Sequence, residues 1–151
     1  MTHLYRQIDY RIDINATASH VWSYLSKPQL MKIWMLDTEM DMDIFTDWQV
    51  GSPITMTGHL HHMPFENRGI ILTYNQEKEL SYSHLSSLSN LPDHPYNYCI
   101  TGFSLSPMEN RTQVHLSISN FPTETIFRHL DFYWRTAIQI LKQSVELDAN
   151  K

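Results

Sequence analysis

The sequence predicts an α+β fold of two layers: a curved antiparallel sheet of about six or seven strands, two short helices, and a long C-terminal helix laid across the sheet over a cavity. Three observations carry the prediction. Pro122 to about Asp148 keeps one apolar stripe at helical spacing. Several earlier segments alternate apolar and polar residues, the period of a strand with one buried face. Short turns join most of these segments, and strands joined that way run antiparallel.

Leu4 to Ile14 reads as the first strand. Ile8, Tyr10, Ile12 and Ile14 share one parity, and Gln7, Asp9, Arg11 and Asp13 the other. Thr17 or Ser19 is placed to cap a short helix showing Val21, Trp22, Tyr24 and Leu25. Pro28 suits the first turn of a second short helix through Leu30, Met31 and Trp34. Leu36 to Phe45 sets Met40, Met42 and Ile44 against Glu39, Asp41 and Asp43. After a turn ending at Pro53, Ile54, Met56, Gly58 and Leu60 alternate with Thr55, Thr57, His59 and His61. Met63-Pro64 is expected to end that strand. Arg68 to Tyr74 follows, with Ile71 assigned inward although Ile70 and Leu72 are as apolar. Leu80, Tyr82 and His84 share a face of the next strand. Ser86 to Asn97 is a loop long enough for a lid or a mouth. Tyr98 to Ser106 shows Cys99, Thr101, Phe103 and Leu105 on one side, and Thr112 to Ser119 returns with Val114, Leu116 and Ile118 inward.

The last helix places Phe127, Leu130, Trp134, Ala137, Ile138, Leu141 and Val145 on one stripe, with Ile126 and Tyr133 at its edge. Pro122, Thr123 and Glu124 fit its first turn. At about 1.5 Å per residue it runs about 39 Å. Phe132 interrupts the polar back, with His129, Ile140 and Leu147 partly round it. Such a cluster is a candidate homodimer patch.

Composition narrows the function classes. At 151 residues, 42% hydrophobic and 12% aromatic, the chain is long enough for one domain with a real core. No linker or repeat divides residues 1–151. A net charge of −5 and a pI near 5.9 argue against a nucleic-acid partner. The single cysteine, Cys99, excludes an internal disulfide framework and fits a reducing, cytoplasmic setting. No leader and no membrane-inserted span are expected. Four glycines provide no phosphate-cradling motif, and no cofactor is expected.

The order of elements, with several short motifs, resembles the helix-grip fold of the START-like (SRPBCC) superfamily. The nearest branch is similar to the C-terminal-like domain of the activator of Hsp90 ATPase homologues. The matching pieces are Ile14-Asn15-Ala16, Val21-Trp22, Pro28, Trp34, Trp48 to Ile54, Gly69, Leu80 to His84, Ser86 to Ser89, Pro95 to Tyr98, Leu105-Ser106-Pro107, Thr112 to Leu116, Phe121 and Trp134-Arg135. They cover nearly the whole chain in order. Many relatives carry glycine where this chain has Tyr133, and aromatic residues at His84 and Leu85. The resemblance implies binding of a small hydrophobic or aromatic ligand between sheet and helix. It also leaves open a cyclase- or hydrolase-like enzyme using the same cavity, and an Hsp90 co-chaperone-like module of the stress response. Against the last, the eukaryotic activator carries an additional N-terminal domain.

The expected lining residues are Trp22, Trp34, Met56, Ile71, Tyr82, His84, Phe103, Leu116, Ile118, Trp134 and Ile138. Each has the plainer reading of packed core. Tyr82 and His84 are the expected polar anchors, because a buried phenol or imidazole needs a hydrogen-bond partner. His59 and His61 would share a strand face about 6.5–7 Å apart, yet no further ligand stands near them, so no metal is expected. The row Asp37, Glu39, Asp41 and Asp43 reads as the wet side of a strand that discourages edge pairing. Cys99 falls among inward apolar residues and reads as inert core.

Overall fold

Seven strands form one antiparallel sheet in the computed structural model of the chain, which describes residues 6–36 and 40–149. Along the chain come β1 (Ile8–Ile14), α1 (Ala18–Ser26), α2 (Pro28–Met35), β2 (Met40–Phe45), β3 (Pro53–Leu60), β4 (Met63–Asn75), β5 (Glu79–Ser86), β6 (Cys99–Met108), β7 (Arg111–Ser119) and α3 (Glu124–Ala149). Single 3-10 turns, Ser87–Ser89 and Pro95–Asn97, lie between β5 and β6. The sheet is curved and its order is β1-β7-β6-β5-β4-β3-β2. Strands β2 to β7 are a run of neighbours, while β1 closes against β7, Ile8 opposite Ile118 and Ile14 opposite Thr112. The two short helices carry the chain from one sheet edge to the other. The fold is the α+β helix grip.

Local chemistry explains most boundaries. The Thr17 side chain accepts from the His20 amide at 3.1 Å, so Thr17 caps α1, and Ser19 lies inside it. Pro28 opens α2, where no amide donor is needed. The Thr123 hydroxyl accepts from the Ile126 amide at 3.1 Å. The long helix therefore starts at Glu124, and Pro122 precedes it rather than joining its first turn. Glycine is required at Gly69, where an added Cβ would sit 1.6 Å from the Ser83 carbonyl oxygen.

One strand boundary departs from expectation. Met63-Pro64 opens β4 instead of ending β3. His61 and His62 make the hairpin turn between them, at φ 51° and 68°, the left-handed region that two-residue hairpins use. His61 is thus in the turn, and the expected two-histidine strand face is not formed. His59 instead sits 3.3 Å from Asp41. The acidic row is exposed at Asp41 and Asp43, while Asp37 and Glu39, with Leu4 of the first strand, lie outside the described residues.

Helix α3 buries Leu130, Trp134, Ala137, Ile138, Leu141 and Val145. Phe127 is only half-buried, edge-on to Phe121 at 4.9 Å. The C-terminal half of α3 is tied down. The Lys142 ammonium donates to the Asp13 carbonyl at 2.6 Å, the Glu146 carboxylate accepts from the Asn15 amide at 2.8 Å, and the Tyr24 hydroxyl donates to Asp148 at 3.1 Å. Leu141 and Val145 of this half, with Ile14, Val21 and Val114, are wholly buried, each contributing about 1.5–3 kcal/mol of burial. The core is densely packed under this half of the helix.

Candidate functional site

Under the other half of α3 the two layers part and enclose a cavity of about 440 Å³. Its apolar side comes from α2, β2 and β3: Met35, Met40, Met42, Met56 and Leu60. Its more polar side comes from β4, β5 and β6: Asn67, Tyr82, His84, Ser86, Cys99 and Thr101. The first turns of α3 roof it with Thr123, Ile126, His129, Leu130, Tyr133 and Trp134, and the loop after β5 adds Leu88 and Leu91. Thr125 and His129 are exposed as well as lining, which marks the mouth.

An aromatic wall separates the open half from the packed half. Trp34 meets Phe103 at 6.1 Å and Trp134 at 6.0 Å, and Phe103 meets Trp134 at 5.8 Å. Their edge-to-face and tilted geometry is the favoured one for such rings. Only Trp134 of the three faces the cavity. Tyr133 donates its hydroxyl to the Met35 carbonyl and so braces α3 against α2 beside the cavity.

Four of the eleven expected lining residues therefore reach the cavity: Met56, Tyr82, His84 and Trp134. Seven do not. Trp22 packs on Tyr74 at 5.5 Å, and Trp34 donates to the Tyr24 carbonyl at 2.8 Å behind the aromatic wall. Phe103 completes that wall. Ile71, Leu116, Ile118 and Ile138 are packed in the core. These four lie among other core side chains, and none borders the hollow. Asn67 and Thr101 were not anticipated at the site. Asn67 was hidden by starting β4 too late, and Thr101 by its modest size among apolar neighbours. His129, expected partly round the polar side of the helix, lies at the cavity mouth.

The polar groups on this wall are unusually free. The Asn67 Oδ1 atom is buried and has no hydrogen-bond partner. Tyr82 is 2% exposed, and neither its hydroxyl nor the His84 ring is hydrogen-bonded among the described residues. Burial pushes the Tyr82 phenol well above its ordinary range, so it stays protonated. Burial, and then the nearby His129, push His84 down to about 4, so its imidazole is neutral and offers one donor and one acceptor. Cys99 lies opposite His84 in the ladder, but burial raises its thiol to about 12. No thiolate forms there at neutral pH. Among the described residues no Asp, Glu, Lys or Arg lines the cavity.

The loop beside the mouth is anchored from outside. The Asp93 carboxylate accepts from Arg68 at 3.0 Å and from the Tyr98 hydroxyl at 2.7 Å. Asn97 donates to the Pro92 carbonyl at 2.9 Å. Among the described residues no three His, Cys, Asp or Glu side chains gather as a metal site, and no helix is long and apolar enough to cross a membrane.

Comparison with known proteins agrees with this fold. A Cytophaga hutchinsonii protein of known solution structure is similar over 100% of both chains, at 29% identity and a TM-score of 0.81. A Chromobacterium violaceum protein is similar over 93% of this chain and 96% of its own, at 16% identity and a TM-score of 0.80, which speaks to fold alone. The Aha1 dimer from Colwellia psychrerythraea aligns over 93% of this chain and 96% of its own, at 21% identity and a TM-score of 0.71. Comparison with curated proteins returns no match. The sequence profile of the activator of Hsp90 ATPase homolog 1-like proteins matches residues 15–146. With that match over most of its length and a helix grip around a half-open core, the chain belongs to the activator of Hsp90 ATPase homolog 1-like family.

Proposed function

We propose that the protein binds a small hydrophobic or aromatic molecule in the cavity between sheet and α3. The observation that carries this is the contrast within one core: solid under one half of the helix, hollow under the other. A half-open hollow of about 440 Å³ leaves its methionine and leucine walls against water until an apolar molecule covers them, and covering them is favourable. Its volume falls in the range of about 300–1,000 Å³ typical of ligand sites, and its mix of apolar walls with a few polar groups is typical too.

Binding is favoured over turnover. A histidine titrating near 4 is a weak base at neutral pH, and a thiol titrating near 12 is a poor nucleophile. Native mass spectrometry of freshly purified protein tests the reading, with titration of Trp134 fluorescence by apolar probes. A co-purifying small molecule is expected. Trp134→Phe is expected to remove most of the probe-dependent signal while the adduct persists. A protein that is always empty and takes up no apolar probe would overturn the proposal.

Two further readings follow from the relatives. The family's name points to an Hsp90 chaperone as partner; pull-down with purified Hsp90, unaffected by a cavity-filling probe, would support a surface interaction. The dimer from Colwellia directs attention to the outer side of α3, where Phe132 is 75% exposed. Phe132→Glu is expected to turn a concentration-dependent dimer into a monomer, and a native protein that stays monomeric at every concentration would remove that surface. The single buried cysteine fits a cytoplasmic setting.

A further inference from the structure

The cavity has two unlike walls. Met35, Met40, Met42 and Met56 stand on one side. Unbranched thioethers adapt to the outline of what they touch and pack well against aromatic edges. On the other side Asn67, Tyr82 and His84 share one face of neighbouring strands. Asn67 lies opposite Ser86, two residues along β5 from His84, and Tyr82 lies two further on. Successive side chains on that face stand about 6.5–7 Å apart, so the three can reach one edge of a single small molecule.

Buried polar groups are almost always satisfied. Here the Asn67 amide oxygen is buried without a partner, and beside it the Tyr82 hydroxyl and the half-buried His84 ring face the cavity with no hydrogen bond among the described residues. Among the described residues no Asp, Glu, Lys or Arg lines the cavity to stabilise an ionic occupant, and an unpaired ion is penalised in such surroundings. We propose that the occupant is an uncharged molecule with an apolar body and one edge that both donates and accepts hydrogen bonds, bound by Asn67, Tyr82 and His84. This rests on the cavity-binding reading above and narrows it to a class of ligand. Asn67 and Tyr82 become specificity-determining residues: they select the edge, and the methionines accept the body.

Three probes of one shape test it: naphthalene, 2-naphthol and 2-naphthoate, titrated at neutral pH by displacement of an apolar fluorescent dye. The native protein is expected to bind 2-naphthol about fivefold more tightly than naphthalene, the gain of one buried hydrogen bond. 2-Naphthoate should bind at least about tenfold more weakly than 2-naphthol, having no counter-charge. Asn67→Leu should bring 2-naphthol to within about twofold of naphthalene, leaving naphthalene itself unweakened. Tyr82→Phe, which deletes only a hydroxyl, gives the same comparison should the first variant not fold. Equal binding of naphthalene and 2-naphthol, tightest binding of 2-naphthoate, or an advantage untouched in both variants would overturn the inference while leaving a cavity-binding protein. Failure of the dye and all three probes to bind would instead overturn the cavity reading itself.

Discussion

His84 should make the protein lose stability as the pH falls through the range just below neutrality. Its imidazole is pushed from 6.5 down to about 4 in the folded protein by burial first and by His129 second. Above about pH 6.5 both folded and unfolded chains hold it neutral, and it costs nothing. Between about pH 6.5 and about pH 4 the unfolded chain takes up a proton that the folded chain refuses, so stability falls as the pH falls. Below about pH 4 both forms are charged and the loss levels off. The drop from 6.5 to about 4 sets a ceiling of about 3 kcal/mol. The ring borders a cavity that opens to solvent, so screening should reduce this to about 1–2 kcal/mol. The perturbation is His84→Gln, which keeps a neutral polar side chain without a titration in this range. Urea unfolding of both proteins at a series of pH values measures it. The native curve should drop relative to the variant by the stated amount between about pH 7 and about pH 4.5. The carboxylates held low, such as Asp9 and Asp93, matter below this window and cancel in the difference. Parallel curves for the two proteins would refute the buried, neutral imidazole.

Other outcomes follow from the same geometry. Leu141→Ala, at a wholly buried position under the fastened half of α3, should cost about 3 kcal/mol in chemical denaturation; a loss under about 1 kcal/mol would mean that the helix is not docked there. Gly69→Ala forces β4 away from the Ser83 carbonyl and should cost about 1–3 kcal/mol, read as a lowered Tm; an unchanged Tm would contradict the close approach. Cys99 should react with a water-soluble disulfide reagent far more slowly than a free thiol, since it lies on the cavity wall and titrates near 12; labelling at the rate of a free thiol would place it at an open surface.

Much of the fold was legible because it is local. Alternation along a strand and a 3.6-residue stripe along a helix follow from backbone geometry, so the inward sides of β5, β6, β7 and α3 could be read directly. The Thr17 cap and the place of Pro28 were legible for the same reason. The hairpin at His61-His62 was not, because left-handed turn residues are usually glycine or asparagine and neither is present. That one lapse shortened β4 and concealed Asn67.

The site was less legible than the fold. By itself the sequence determined the parity of each strand, the apolar stripe of α3 and therefore the two-layer architecture. It determined that Tyr82 and His84 face inward. It did not determine which inward residues touch one another and which face a hollow, since Leu116 and Met56 carry the same signal of apolar parity. Only the tertiary structure decided that. Lys142, Glu146 and Tyr24 fasten one end of the helix through contacts more than a hundred residues apart in the chain. The first half is held by Arg6 to Glu124 and Tyr10 to Asp131, and its Trp134 meets Trp34 and Phe103 at mid-helix. Which inward residues meet a partner and which border the hollow is set by contacts this distant in sequence, and no local pattern encodes them.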